Sequence, residues 1–86
     1  MMKRKKRIES ILLKRFSSWK SEVNDISILH KGHNNFDGSE ETHFSIILNP
    51  NKQNKESKLK IHRKINVLLK NEFNSGLHAL EIKILN

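Results

Sequence analysis

The chain contains no cysteine, although it is only 86 residues long. Domains of this size are near the lower limit at which one hydrophobic core is enough to stabilise the fold, and many rely on disulfides or bound metals. Here a disulfide framework, a zinc–thiolate site and a thiol nucleophile are all excluded. The chain must therefore fold around a single apolar core. Any thiolate-bound cluster held here would have to take its thiolates from another molecule.

The first apolar stripe predicts an amphipathic helix near the N-terminus. Its members recur at helical spacing: Ile8, Ile11, Leu12, Phe16 and Trp19. The same segment is basic and almost free of acid, which is also typical of a mitochondrial transit peptide. We favour the structural helix, because its removal would open the core. Cations oppose the helix dipole at an N-terminus, so the basic residues 1–6 are expected to fray or to lie outside the helix.

Two strands are predicted next, because hydrophobicity alternates along both segments. Ile26 and Ile28 share one face of the first strand, and the apolar residues of the second are Phe44, Ile46 and Leu48. The two strands can pair antiparallel. Between them, residues 30–40 contain two glycines and several turn formers. This segment is too long for a tight hairpin turn and predicts a flexible, functional loop.

A second helix is predicted from about Ser57, a suitable N-cap, to Gly76, which would end it. Its apolar face consists of Ile61, Ile65, Leu68, Leu69 and Phe73. In the strand that follows, alternate residues share the core-facing parity, and His78 has that parity at the start of the strand. A right-handed crossover through the second helix would place this strand parallel to the previous one. The prediction is one α+β domain over residues 1–86, in the order α-β-β-α-β, with helices covering one face of a small mixed three-stranded sheet.

The formal net charge of +8 would speed association with nucleic acid, lipid headgroups or an acidic protein face, but it identifies no partner. Part of it belongs to the Asn- and Lys-rich tract 49–55, which is expected to be a solvated surface connection. No apolar run approaches the ~20 residues that span a bilayer. We therefore expect a soluble protein without a membrane partner, cytoplasmic, with a nuclear or mitochondrial location left open.

Five histidines in a chain without cysteine raise the question of a metal site. On local grounds His78 is more often a partly buried, hydrogen-bonded histidine than a ligand. His33 is an exposed loop residue by default, and His30 continues the parity of the first strand; their spacing is only a weak signal for adventitious zinc or nickel. His62 borders the apolar face of the second helix, and His43 is expected to be structural or exposed. No catalytic constellation is present in the sequence, so we do not expect an enzyme.

Three segments in order resemble the BolA family. They are T-H-F at 42–44, I-H-R-x-I-N-x-L-L-x-x-E at 61–72 and G-L-H-A-L at 76–80. Each is weak alone, but together they make the resemblance strong, and it extends from about Arg7 to Leu85. The resemblance implies the fold predicted above, which is a variant of the class II KH fold.

The resemblance also implies a function that is not enzymatic. BolA-like proteins are adaptors that form a heterodimer with a monothiol glutaredoxin and share a 2Fe–2S cluster with it and with glutathione, for cluster trafficking or assembly, or for iron sensing. The implied cluster ligands are His78, which matches the histidine of the H-A-L motif, and His33, with His30 less favoured. The second-helix residues His62, Arg63 and Lys64 are implied as partner contacts or as neighbours of the ligands.

The alternative is a KH-like nucleic-acid-binding protein or transcriptional regulator. Lys60, Arg63 and Lys64 could contact phosphates, and bacterial BolA-like proteins have been regarded as regulators of transcription. KH domains bind the nucleic-acid backbone through a G-x-x-G loop, however, and this sequence has none. We rank this function second.

Overall fold

The fold is a three-stranded sheet with helices on one face, and the computed structural model describes residues 3–27 and 42–85 of it. Within these residues the predicted order is confirmed, except that the second helix is divided in two. The elements are α1 Arg4–Arg15, β1 Lys20–Asp25, β2 His43–Asn49, α2 Lys58–Leu68, α3 Lys70–Asn74 and β3 Ala79–Ile84.

The sheet is mixed, and β2 is its central strand. Strand β1 pairs antiparallel with it, so that Val23 lies opposite Ile46. Strand β3 pairs parallel with it, so that Phe44 lies opposite Leu80. A parallel neighbour requires a crossover, which the helical segment between β2 and β3 supplies.

The core lies between the sheet and the helices. Strand β2 presents three fully buried side chains on one face, those of Phe44, Ile46 and Leu48. Alternation along a strand places all three on the same side, as the sequence predicted. Leu80 and Ile82 of β3 are half-buried at the margin of this core. The helices cover it with fully buried residues of their own, namely Ile8, Leu12, Ile61 and Ile65.

The first strand lies earlier than its alternating pattern predicted. Strand β1 ends at Asp25, and its buried residue is Val23. Ile26 is half-buried just beyond the strand, whereas the polar Ser27 is only 1% exposed. The reason is that the Ser27 hydroxyl is hydrogen-bonded to the start of β2, a tertiary contact that hydrophobicity does not reveal. Ile28 lies outside the described residues.

Helix α1 begins inside the basic run that was expected to fray or to lie outside the helix. Residues 4–6 are helical, and Arg4 is only 7% exposed. The Nε atom of Arg4 donates a hydrogen bond to Oε1 of Glu72 at 3.0 Å. This buried carboxylate offsets the unfavourable interaction of the cation with the helix dipole.

The second helix begins and ends as predicted but is interrupted once. Ser57 is its N-cap, and the Ser57 Oγ accepts a hydrogen bond from the Lys60 N–H at 3.1 Å. Leu69, with φ −99° and ψ 13°, separates α2 from the short α3. Gly76 then has a φ of +127°, a conformation that favours glycine. A Cβ at this position would also lie 3.3 Å from Nη2 of Arg4.

Candidate functional site

His78 lies between the Gly76 turn and the first residue of β3, and its side chain is exposed. The His78 backbone N–H donates to the carbonyl oxygen of Thr42 at 2.7 Å, and the Ala79 N–H donates to the same oxygen at 3.2 Å. Local reasoning favoured a partly buried histidine here. The structure instead presents the imidazole to solvent on a backbone that is fixed to the start of the central strand.

His43 lies beside His78. Their ring centroids are 6.2 Å apart, and the two ring planes differ by 19°, so the rings are stacked. His43 is half-buried, and its Nδ1 is 2.9 Å from Oγ1 of Thr42. The strand register explains the proximity, because His43 is the β2 partner of Ala79. No pattern in the sequence indicates this pair, because the two histidines are far apart along the chain.

Ser27 connects the end of β1 to the histidine pair. Its hydroxyl oxygen accepts hydrogen bonds from the backbone N–H groups of Thr42, at 2.9 Å, and His43, at 3.1 Å. The residue is almost fully buried. A buried N–H without an acceptor is costly, so Ser27 fixes the backbone from which His43 projects.

We expect Ser27→Ala to lower the free energy of unfolding by about 1–3 kcal/mol, because it leaves two backbone donors without their acceptor. Denaturant titration measures the change. The matched control is Ser21→Ala in β1, where the side chain is exposed and the change should stay within about 0.5 kcal/mol. Equal effects of the two substitutions would contradict the role given to the Ser27 hydroxyl.

His33 and His30 lie outside the described residues. The segment that contains them, 28–41, starts after Ser27 and ends before Thr42, and these two residues are hydrogen-bonded to each other. Thr42 in turn accepts a hydrogen bond from the backbone N–H of His78. The two described residues on either side of the segment are therefore connected to the backbone of His78.

The cationic residues predicted on the second helix lie on α2. Lys60 and Arg63 are exposed, whereas Lys64 forms an ion pair with Glu56. The hydrogen bond from Lys64 lowers the pKa of Glu56 below its ordinary value, with smaller contributions from other nearby cations. Lys60 and Arg63 thus form an exposed cationic surface on this helix.

His62 is half-buried on α2. Its neighbour Ile61 lines a hollow together with Asn49 and Ile84, which are the last residues of β2 and β3. His78 lies at the other end of β3, directly before its first residue. Helix α2 follows the end of β2, so Ile61 lies toward the end of the sheet at which β2 and β3 end.

An ion cluster of Arg4, Arg7 and Glu72, in which Arg4 and Glu72 are buried and Arg7 is partly exposed, supports the turn before His78. Arg7 donates from Nε to Oε2 of Glu72 at 2.9 Å and from Nη2 to Oε1 at 2.8 Å, and Arg4 adds its own bond to Oε1. Arg4 also donates to the carbonyl oxygen of Ser75 at 2.9 Å. The hydrogen bonds from Arg7, followed by those from Arg4, hold the pKa of Glu72 below its ordinary value, although burial acts in the opposite direction.

The sequence contains Glu72 as the last residue of its second motif, but nothing in the motif assigns it a partner.

In residues 3–27 and 42–85, no group of three or more His, Asp or Glu side chains is placed to hold a metal ion. No helix in this part of the chain has the length and apolar character needed to cross a membrane.

Sequence comparison finds one protein family and two informative relatives. A protein-family model described as BolA-like protein matches residues 3–86. SufE-like protein 1, chloroplastic/mitochondrial, from Arabidopsis thaliana is 40% identical over 80 residues, which are 88% of this chain but 22% of that protein. The uncharacterized protein in the cobS 5′ region of Sinorhizobium sp is 38% identical over 77 residues, which are 88% of this chain and 83% of that protein.

Solved structures show the same relationship. The BolA domain of SufE1 from Arabidopsis thaliana superimposes with a TM-score of 0.80 at 37% identity, covering 98% of this chain and 92% of that domain. BolA1 from the same plant superimposes with a TM-score of 0.80 at 30% identity and the same coverage of both chains.

Proposed function

The chain belongs to the BolA-like family, and from this premise we propose that it is a non-enzymatic adaptor. It pairs with a monothiol glutaredoxin as a heterodimer, and the two proteins share a 2Fe–2S cluster together with glutathione. The downstream role is cluster trafficking or assembly, or iron sensing. The single observation that carries the proposal is the exposed His78 imidazole on a backbone fixed by Thr42.

The donor chemistry of the site fits such a cluster. The chain contributes imidazole and has no thiolate to contribute, so glutaredoxin and glutathione supply the thiolates. Imidazole in place of thiolate makes a cluster less negative and raises its reduction potential. The cluster, when bound, supplies the iron that is transferred or sensed. The role of this chain is to present the ligand side chain to the partner.

His33 is the proposed second ligand, and His30 is the less favoured choice. Support comes from the two described residues on either side of the segment that contains them. Ser27 and Thr42 are joined by a hydrogen bond, and Thr42 is joined to His78 by another. The segment 28–41 therefore connects two residues that lie at the same end of the sheet as His78.

The partner surface is proposed to include His62, Arg63 and Lys64 on α2. An exposed cation such as Arg63 favours an acidic partner face and increases the rate of encounter. Because His62 lies toward the far end of the sheet, a partner bound at His78 has to extend along α2, which is about 16 Å long, to make these contacts.

The test is anaerobic reconstitution of the purified protein with a monothiol glutaredoxin, ferrous iron, sulfide and glutathione. We expect a visible circular-dichroism spectrum that differs from the glutaredoxin homodimer, and native mass spectrometry should show one copy of each protein. The matched control omits this protein. If the homodimer remained the sole cluster-bound species at excess adaptor, the proposed function would be wrong.

Nucleic-acid binding is the second candidate, and the exposed Lys60 and Arg63 are the observation in its favour. Binding through such contacts is similar for all sequences and weakens steeply with salt. A strong preference among unrelated oligonucleotides at physiological salt would reverse the order of the two candidates.

A further inference from the structure

The ring of His78 lies beside a second imidazole, that of His43. An exposed side chain ordinarily samples several rotamers on a fast timescale. Here the ring of His43 stacks on it, with 6.2 Å between the centroids. His43 is the more buried of the two residues, and Thr42 Oγ1 lies within hydrogen-bonding distance of its Nδ1.

The geometry of the stack determines what His43 can do for its neighbour. An imidazole binds a metal through a nitrogen lone pair, which lies in the plane of the ring. Stacking occupies a face of the ring and leaves its edge available. The two ring planes differ by 19°, which is a stacked arrangement.

We propose that His43 is a positioning residue for His78: its ring orders the neighbouring imidazole so that the nitrogen edge faces outward to a partner-bound metal centre. Ordered ligands do not have to lose side-chain entropy when they bind. This inference rests on the proposed function for its purpose, but the ordering itself is a property of the protein alone.

Thr42 sets the positions of both rings. Its carbonyl oxygen accepts the His78 N–H at 2.7 Å, and its hydroxyl is hydrogen-bonded to Nδ1 of His43. The Thr42 hydroxyl also lies 3.3 Å from Oγ of Ser27. Because a hydroxyl can donate or accept, this arrangement accommodates either neutral tautomer of His43. The spacing between the two rings therefore depends on one buried residue.

The test compares His43→Ala, which removes the stack, with His43→Phe, which keeps an aromatic ring but has no nitrogen. Three-bond NMR couplings across Cα–Cβ of His78, measured on the protein alone, report how well the side chain is ordered. We expect one dominant rotamer in the wild type and in His43→Phe, and averaged couplings in His43→Ala. The backbone amide spectrum shows whether each variant is folded.

The second measurement is the lifetime of the cluster in the mixed complex with a glutaredoxin. Loss of a residue that orients a ligand typically weakens metal binding 10- to 100-fold. We expect His43→Ala to shorten the lifetime by about that factor and His43→Phe to restore most of it. Ser21→Ala is the control, because this exposed residue of β1 belongs to neither the ligand site nor the proposed partner surface.

Three results would overturn the positioning role. They are wild-type couplings for His78 in His43→Ala, averaged couplings in His43→Phe, and a cluster lifetime that neither variant changes. If the wild type formed no mixed cluster at all, the proposed function would fail. The NMR couplings would still decide whether His43 orders His78.

Discussion

His78→Ala should abolish the visible circular-dichroism spectrum of the mixed complex, because it removes the exposed imidazole proposed as a cluster ligand. The side chain is exposed, so the substitution should change the free energy of unfolding by less than about 0.5 kcal/mol. Loss of the spectrum would then reflect loss of the ligand and not loss of the fold. Association of the two proteins can persist without the cluster, because the cationic surface of α2 is unchanged.

Three other substitutions define what is specific to His78. Ser21→Ala removes an exposed side chain of β1 that is outside the ligand site and the proposed partner surface, and the cluster spectrum should stay as in the wild type. His33→Ala should shift or weaken the spectrum, and His30→Ala should affect it less. A mixed complex of His78→Ala with an unchanged spectrum would show that this residue is not a ligand, and the family relationship would then inform the fold alone.

Glu72→Gln should lower the free energy of unfolding by about 3–5 kcal/mol at neutral pH, the usual cost of removing one partner from a buried ion pair. The substitution removes the carboxylate to which the buried guanidinium of Arg4 is bonded, whereas Arg7 is partly exposed and can be solvated. A domain of this size has about 5–15 kcal/mol in total, so the loss is large. Urea titration with tryptophan fluorescence from Trp19 measures it.

The ion cluster of Arg4, Arg7 and Glu72 also predicts how the stability of the fold depends on pH. The pKa of Glu72 is lower in the folded protein than its ordinary value, chiefly through the hydrogen bonds from Arg7. Its stabilisation is therefore complete above the unfolded pKa of about 4.3 and is lost as the pH falls through the folded value. The difference in the free energy of unfolding between wild type and Glu72→Gln should therefore become smaller as the pH falls over that range.

Glu56→Gln is the matched control for Glu72→Gln, since Glu56 forms an ion pair with Lys64 at the surface. Solvent screens such pairs, and the unfolding free energy should stay close to the wild-type value. If the two variants lost equal stability, or if the Glu72 variant showed no pH-dependent difference from the wild type, the buried cluster would not have the structural role described above.

The sequence by itself determined the elements and their order. Apolar stripes of period 3.6 and 2 identified the two helical segments and the apolar face of β2, because burial of one face imposes the periodicity of the element. Ser57 and Gly76 marked the limits of the second helical segment, since capping and positive φ depend on residue type. The motif that contains His78 was also visible, and so was its place at the start of the last strand.

Only the tertiary structure decided which residues meet. The pairing of His43 with His78 depends on strand register, and the pairing of Arg4 with Glu72 depends on how α1 packs beside α3. The first strand ends before its predicted position, and the Ser27 hydroxyl instead accepts hydrogen bonds from the backbone N–H groups of Thr42 and His43. These contacts join residues at least 15 positions apart. A local pattern records the periodicity of one element, whereas hydrogen bonds and ion pairs between elements depend on distances that exist only after the chain has folded.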